Sequence, residues 1–305
     1  MPYLPEGELL NKEENRLYIN NPEKLPEALY GQKILEAKAL ICDREHNLRL
    51  NLGGMRAVIP REDGAIGIRE GSVRDIAIIS RVNRPVCFVI NRIEEDENGK
   101  IAILSREKAQ RMCFDNYIDT LAPGDIIDAK VSRTENFGVF ADIGCGVAAL
   151  MPIDAVSVSR IEHPGERFRA GMNIKAVVKS IENGRISLSH KELLGTWAEN
   201  AAKFSAGETV TGIVRSIESY GSFIELTPNL AGLAEVHPDI REGMRVSVYI
   251  KSIIERKMKI KLIIIDTFDD REPPKRPEYF LSSGHIDRFV YSPESCPRVV
   301  ETVFE

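Results

Sequence analysis

The chain has 305 residues, 43% of them hydrophobic and 29% charged, which fits two or three compact domains and excludes a disordered chain. Forty-one Lys and Arg against 46 Asp and Glu give a net charge of −5, so a globally basic nucleic-acid binder is excluded and any such function must sit on a local face. Residues 1–15 hold no apolar run of a secretory signal, and no stretch reaches a membrane span. The five cysteines (Cys42, Cys87, Cys113, Cys145, Cys296) are odd in number, with no C-x-x-C pair. That suits a reducing cytoplasm, and a cytoplasmic protein without membrane contact is expected.

In chain order, residues 1–30 read as an N-terminal arm and 31–107 as a first, divergent barrel. Its 84–108 stretch is similar to Ile174–Glu192, and Val58-Ile59-Pro60 closes a Gly-rich step like the one before Pro152. A helical linker follows at 108–123, then a second barrel at 124–190, a linker helix around Trp197 at 191–205, and a third barrel at 206–266. A tail at 267–305, proline-rich and charged at its start, matches no repeat.

Self-comparison carries this division. Residues 124–152 align without a gap on 207–235 at an offset of 83, with seven of 29 positions identical, among them Gly138/Gly221 and Phe140/Phe223. Residues 171–181 match 243–253 at an offset of 72, fixed by a shared Gly-Met and Lys-Ser-Ile. Apolar residues recur with a period of two (Ile127, Ala129, Val131; Val139, Ala141, Ile143; Ile174, Ala176, Val178). Five short strands in each copy make a small closed barrel. The expected fold is all-β, three tandem five-stranded barrels joined by short helices.

The register places Val139, Ala141 and Ile143 inside, and Phe140 and Asp142 outside. The other copy repeats the anomaly, with Ser222, Ile224 and Leu226 inward and Phe223 outward. Phe137 and Tyr220 stand just before Gly138 and Gly221. Two outward rings at the same barrel position form a stacking platform for unpaired bases; the alternative is that they cover a neighbouring domain or loop. Lys257, Lys259 and Lys261 alternate with apolar residues on one strand, and the second barrel offers Arg185 and Lys179, the latter matched by Lys251. Phosphate contact and protection of a sheet edge predict the same lysines.

The order Gly-x6-Val, Phe-Gly-x-Phe, an Ala-Leu or Gly-Leu strand and a closing Gly-Arg-Ile-Ser-Leu-Ser resembles the S1 domain, an RNA-binding member of the OB-fold class. The tandem array resembles the bacterial ribosomal protein S1 family over 31–266. The resemblance implies single-stranded RNA or mRNA binding by strand-two rings and basic residues of the last strands, carried over onto Phe137, Phe140 and Arg185, and onto Tyr220, Phe223 and Lys259. It also implies a partner in the small ribosomal subunit, docked through barrel one, by a monomer with no cofactor and no enzymatic activity. Where the family often has a strand-three histidine, this chain has Pro152 and Glu235, with His237 displaced by two residues. Barrel one lacks both rings and offers only His46 and Arg49. The rival readings are an RNA-presenting subunit of a nuclease or polymerase complex, and a structural adaptor whose rings are covered by protein.

Other motifs are set aside. Gly144–Ala149 fits a dinucleotide loop, but a strand follows it rather than a helix. Cys145 has no positioned base, the five histidines form no metal-binding pair, and Glu94–Glu97 precede an Asn98-Gly99 turn.

Overall fold

The computed structural model describes residues 3–182, 184–268 and 276–305; the start of the tail, 269–275, lies outside the described residues. Two compact units form, Met1–Leu121 with Asp142–Ala148, and Ala122–Ala141 with Ala149–Glu305.

In the first unit, helices α1 (Glu13–Ile19) and α2 (Leu25–Tyr30) precede strands β1 (Leu35–Lys38), β2 (Ile41–Cys42), β3 (Leu48–Leu52) and β4 (Met55–Ile59). Helix α3 (Ile76–Ile79), strands β5 (Pro85–Asp96) and β6 (Gly99–Ser105) and helix α4 (Arg106–Asn116) complete it. Leu48, Leu50 and Leu52 point inward while Arg49 and Asn51 face water, the alternation of a half-buried strand. The sheet order is β1-β5-β6-β4-β3-β2, a curled six-stranded sheet rather than the closed five-stranded barrel expected here. The first strand breaks at Ala39 and Leu40, so its halves pair separately, β1 with β5 and β2 with β3. Tyr18, Leu25 and Ala28 lie in one core with Leu35, Leu48, Phe88 and Leu104, so the helices before residue 31 are part of this unit.

Asp142 was expected on the wet side and is buried instead. Its carboxylate accepts the N–H groups of Glu6, Gly144 and Gly146, at 2.7, 2.9 and 3.0 Å. Burial and the nearby Glu6 charge push it up to about 7. Glu6 in turn accepts from Arg106 Nε at 2.7 Å and Arg81 at 3.1 Å, and those two cations hold it below the usual carboxylate range despite its burial.

The second unit holds two closed barrels. One consists of β7 (Ile126–Glu135), β8 (Gly138–Asp142), β9 (Ala148–Pro152), β10 (Asn173–Glu182) and β11 (Arg185–Ser189). After helix α5 (Trp197–Ala201) come β12 (Thr209–Glu218), β13 (Gly221–Thr227), β14 (Leu230–Ala234), β15 (Arg245–Ile254) and β16 (Lys259–Phe268). Ile127, Ala129, Val131, Val139, Ala141, Ile174, Ala176 and Val178 are all buried, as the two-residue period requires. Glycine in the Phe-Gly-x-Phe motif has a steric cause: a Cβ at Gly138 would strike the Met151 carbonyl oxygen, and one at Gly221 would lie 2.6 Å from that of Ala234.

Asn229, fully buried, ties the two barrels together. Its side chain donates to the carbonyls of Lys191 and Gly195 (2.7 and 2.8 Å) and accepts from Val158 N–H (3.1 Å). Beside it, buried Glu225 accepts from both Arg215 (Nε, 2.8 Å) and Arg167, and Arg215 also pairs with Glu166. The tail supplies a two-stranded ribbon, β17 (Arg288–Val290) with β18 (Glu301–Val303). Ile286, Phe289, Tyr291 and Phe304 enter the same core as Trp197 and Val214. Tyr291 donates its hydroxyl to the Asn229 carbonyl at 2.6 Å. Gly124, at φ +97, leaves room for the Ile286 carbonyl.

Candidate nucleic-acid interface

Each closed barrel carries an outward pair of rings at the start of its second strand. Phe137 is 57% exposed and Tyr220 67%. Phe140 and Phe223 point outward but are half-buried, because each is closed on one side by its neighbour. Phe137 and Phe140 meet edge to face at 5.9 Å and 88°, Tyr220 and Phe223 at 6.3 Å and 90°. This geometry suits the ring quadrupoles and leaves one face of the exposed ring open.

Strand register then decides what lies beside each pair. Phe223 is opposite Leu233, Leu233 opposite Lys261, and Lys261 opposite Ser252. Ring, aliphatic side chain and ammonium thus form one outward row across neighbouring strands about 4.8 Å apart. In the other barrel Leu150 is level with Ser187, and Ser187 with Ser180, so that row has no lysine. Its cation comes from the opposite side: the Arg133 guanidinium lies 4.3 Å over the Phe140 ring. Arg133 was not among the residues expected here. At the offset of 83 it aligns with Ser216, which pairs with Phe223, so the strand register and not the repeat pattern places it beside the ring.

The remaining basic residues are exposed but differently placed. Lys179 and Lys251 are the extra residues of equivalent bulges, between Val178 and Ser180 and between Ile250 and Ser252. A bulge re-aims the side chain it carries. Arg185 and Lys259 open their strands opposite Glu182 and Ile254, one step away from the ring rows. Lys257 was expected on one strand face with Lys259 and Lys261. It lies instead in a 3-10 turn, Glu255–Lys257, and the left-handed Met258 (φ 49) breaks the alternation before β16 begins. Strand β16 is paired on both sides, with β14 and β15, so its lysines guard no open edge. Among the described residues no group of three or more His, Cys, Asp or Glu could hold a metal ion, and no helix is long and apolar enough to cross a membrane.

Small closed five-stranded barrels in tandem, each with a Phe-Gly-x-Phe or Tyr-Gly-x-Phe ring pair on an outward face, define a class of architecture: the OB fold. Comparison agrees, since residues 120–191 match the S1 RNA binding domain family. The chain is similar to the small ribosomal subunit protein bS1 of bacteria. It is 35% identical over 193 residues to that of Staphylococcus epidermidis, covering 57% of this chain and 49% of the relative. With the Staphylococcus aureus MRSA252 protein the identity is 32% over 220 residues (64% and 56%), and with the Bacillus subtilis homologue 29% over 197 residues (59% and 51%). The chain spans about half the length of these curated relatives.

Proposed function

We propose that this chain binds single-stranded RNA, mRNA foremost, as a non-enzymatic component acting at the small ribosomal subunit in the bacterial cytoplasm, with the first unit as its docking module. The observation that carries the reading is the pair of edge-to-face rings repeated at one barrel position in two copies, each flanked by a cation. Exposed rings give every base a stacking partner irrespective of sequence, and flanking cations meet the phosphates. The names of the bS1 relatives and of the matching domain support both the RNA and the ribosomal part.

Phe140→Ala and Phe223→Ala should each weaken binding to an unstructured RNA by roughly 5- to 150-fold, the range for one stacked base, with thermal unfolding close to wild type. Unchanged affinity in the double variant would remove the platform. Crosslinking in cells, with bound RNA and protein identified together, tests the ribosomal part: recovery with a nuclease or polymerase instead of the small subunit overturns it.

A further inference from the structure

The last two strands of each repeat meet at an equivalent outward pair. It is Val89 opposite Ser105 in the first unit, Val177 opposite Ser189 in the next barrel, and Tyr249 opposite Ile263 in the last. The first two pairs are buried. There the chain turns back once the last strand ends: α4 starts at Arg106 with Ser105 as its cap, and a 3-10 turn at Lys191–Leu194 follows Ser189, its Leu193 sharing a core with Val177 and Trp197. In the last barrel β16 runs straight on to Phe268. Tyr249 stays 37% exposed, Ile263 44% and Ile265 60%. Residues 269–275, which come next, hold two prolines and no apolar side chain other than these.

Bare in this copy alone, the surface also differs in chemistry. Tyr249 replaces Val177, Ile263 replaces Ser189, and Lys261 replaces Ser187 at the matching register. Lys261 already belongs to the Phe223 row, and Ile263 is two residues further along the same strand, about 7 Å away. Lys251, pushed out by its bulge, lies on the strand that bears Tyr249. A ring with two ammonium groups to one side of it, Lys251 on its own strand and Lys261 on the next, matches bases and phosphates, whereas lysine is depleted at the centre of protein interfaces.

We propose that the outward face of β15 and β16 is a second contact surface for single-stranded RNA, with Tyr249 as its stacking ring and Lys251 and Lys261 as its phosphate contacts, extending the track that starts at Phe223. This rests on the RNA-binding reading above and adds nucleotides to it. The test titrates the full chain with oligouridylates of 4 to 16 nucleotides, the site sizes of OB folds, for wild type, Tyr249→Ala, Tyr249→Phe and Phe223→Ala. Tyr249→Ala should lose about fivefold or more on the longer oligomers and nothing on the shortest, with Tyr249→Phe close to wild type and an ultraviolet adduct mapping to Tyr249. If Tyr249→Ala matches wild type at every length while Phe223→Ala is weakened, the second surface is overturned and the first stands. If Phe223→Ala also binds as wild type, both readings fall. A Tyr249→Ala protein with intact RNA binding but altered sedimentation of the free chain assigns the face to protein contact and overturns the proposal.

Discussion

His190 is held neutral by what surrounds it. Its Nδ1 lies 3.0 Å from the Val156 carbonyl, which can only accept, so Nδ1 carries the proton and Nε2 accepts from the Tyr279 hydroxyl at 3.2 Å. That hydroxyl accepts in turn from the Lys175 N–H at 3.0 Å. With both nitrogens satisfied and the ring buried against Phe168, burial pushes the imidazole down to about 4. A depressed histidine gives stability that is present above its ordinary value near 6.5 and is lost as pH falls through about 4. The full effect is roughly 3 kcal/mol. Exposed His285, raised by its pairing with Asp125, titrates in the opposite sense, so a comparison of variants is the clean measurement. Thermal unfolding followed through buried Trp197 should lose stability between pH 6.5 and 5 in wild type, and much less in His190→Gln. Equal slopes in the two proteins would mean the ring is solvated.

At the scale of elements, the tail depends on a few anchored side chains. Tyr291→Phe removes one hydroxyl and leaves the Asn229 carbonyl without its 2.6 Å donor, which should cost about 1 to 3 kcal/mol and shift Trp197 emission to the red, because Trp197 shares a core with Tyr291 and its backbone N–H donates to the Tyr291 carbonyl. An unchanged spectrum and midpoint would show that the ribbon docks by apolar contact alone. The strands were legible in the sequence because a strand has one variable, which face is in, and apolar alternation reports it directly. The tail was not: Ile286, Phe289, Tyr291 and Phe304 follow no period, and they are buried in a core that includes Trp197, Val214 and Leu230, far upstream in sequence. Alternation also fixes only the side on which a residue leaves its strand, never what waits there. Hence alternation puts Asp142 on the wet side although three backbone N–H groups enclose it, and it is silent on Tyr249, whose exposure goes with β16 running on to Phe268 where the earlier repeats turn back. Lys257 leaves the pattern because the left-handed Met258 directly before the strand gives no periodic warning.

For the whole molecule, a net charge of −5 opposes attraction of RNA at long range, but beyond a Debye length of about 8 Å that charge is screened. Binding then depends on local cations. Lys251, Lys259 and Lys261 would give a slope of log affinity against log salt of about −2, from ~0.7 per contact on a single strand. Each Lys→Gln change should make it shallower by about 0.7; a triple variant with the wild-type slope would move the phosphate contacts to Lys179, Arg185 and Arg133. The union of the two closed barrels through Asn229 and the Arg215–Glu225–Arg167 cluster has a further consequence. Beads on a loose string let a ligand choose its own slack, but two platforms fastened to each other behave as a ruler. On the RNA-binding reading proposed above, a strand held on both ring pairs would have to span one fixed separation, and ligands would be sorted by reach, without a single base being read.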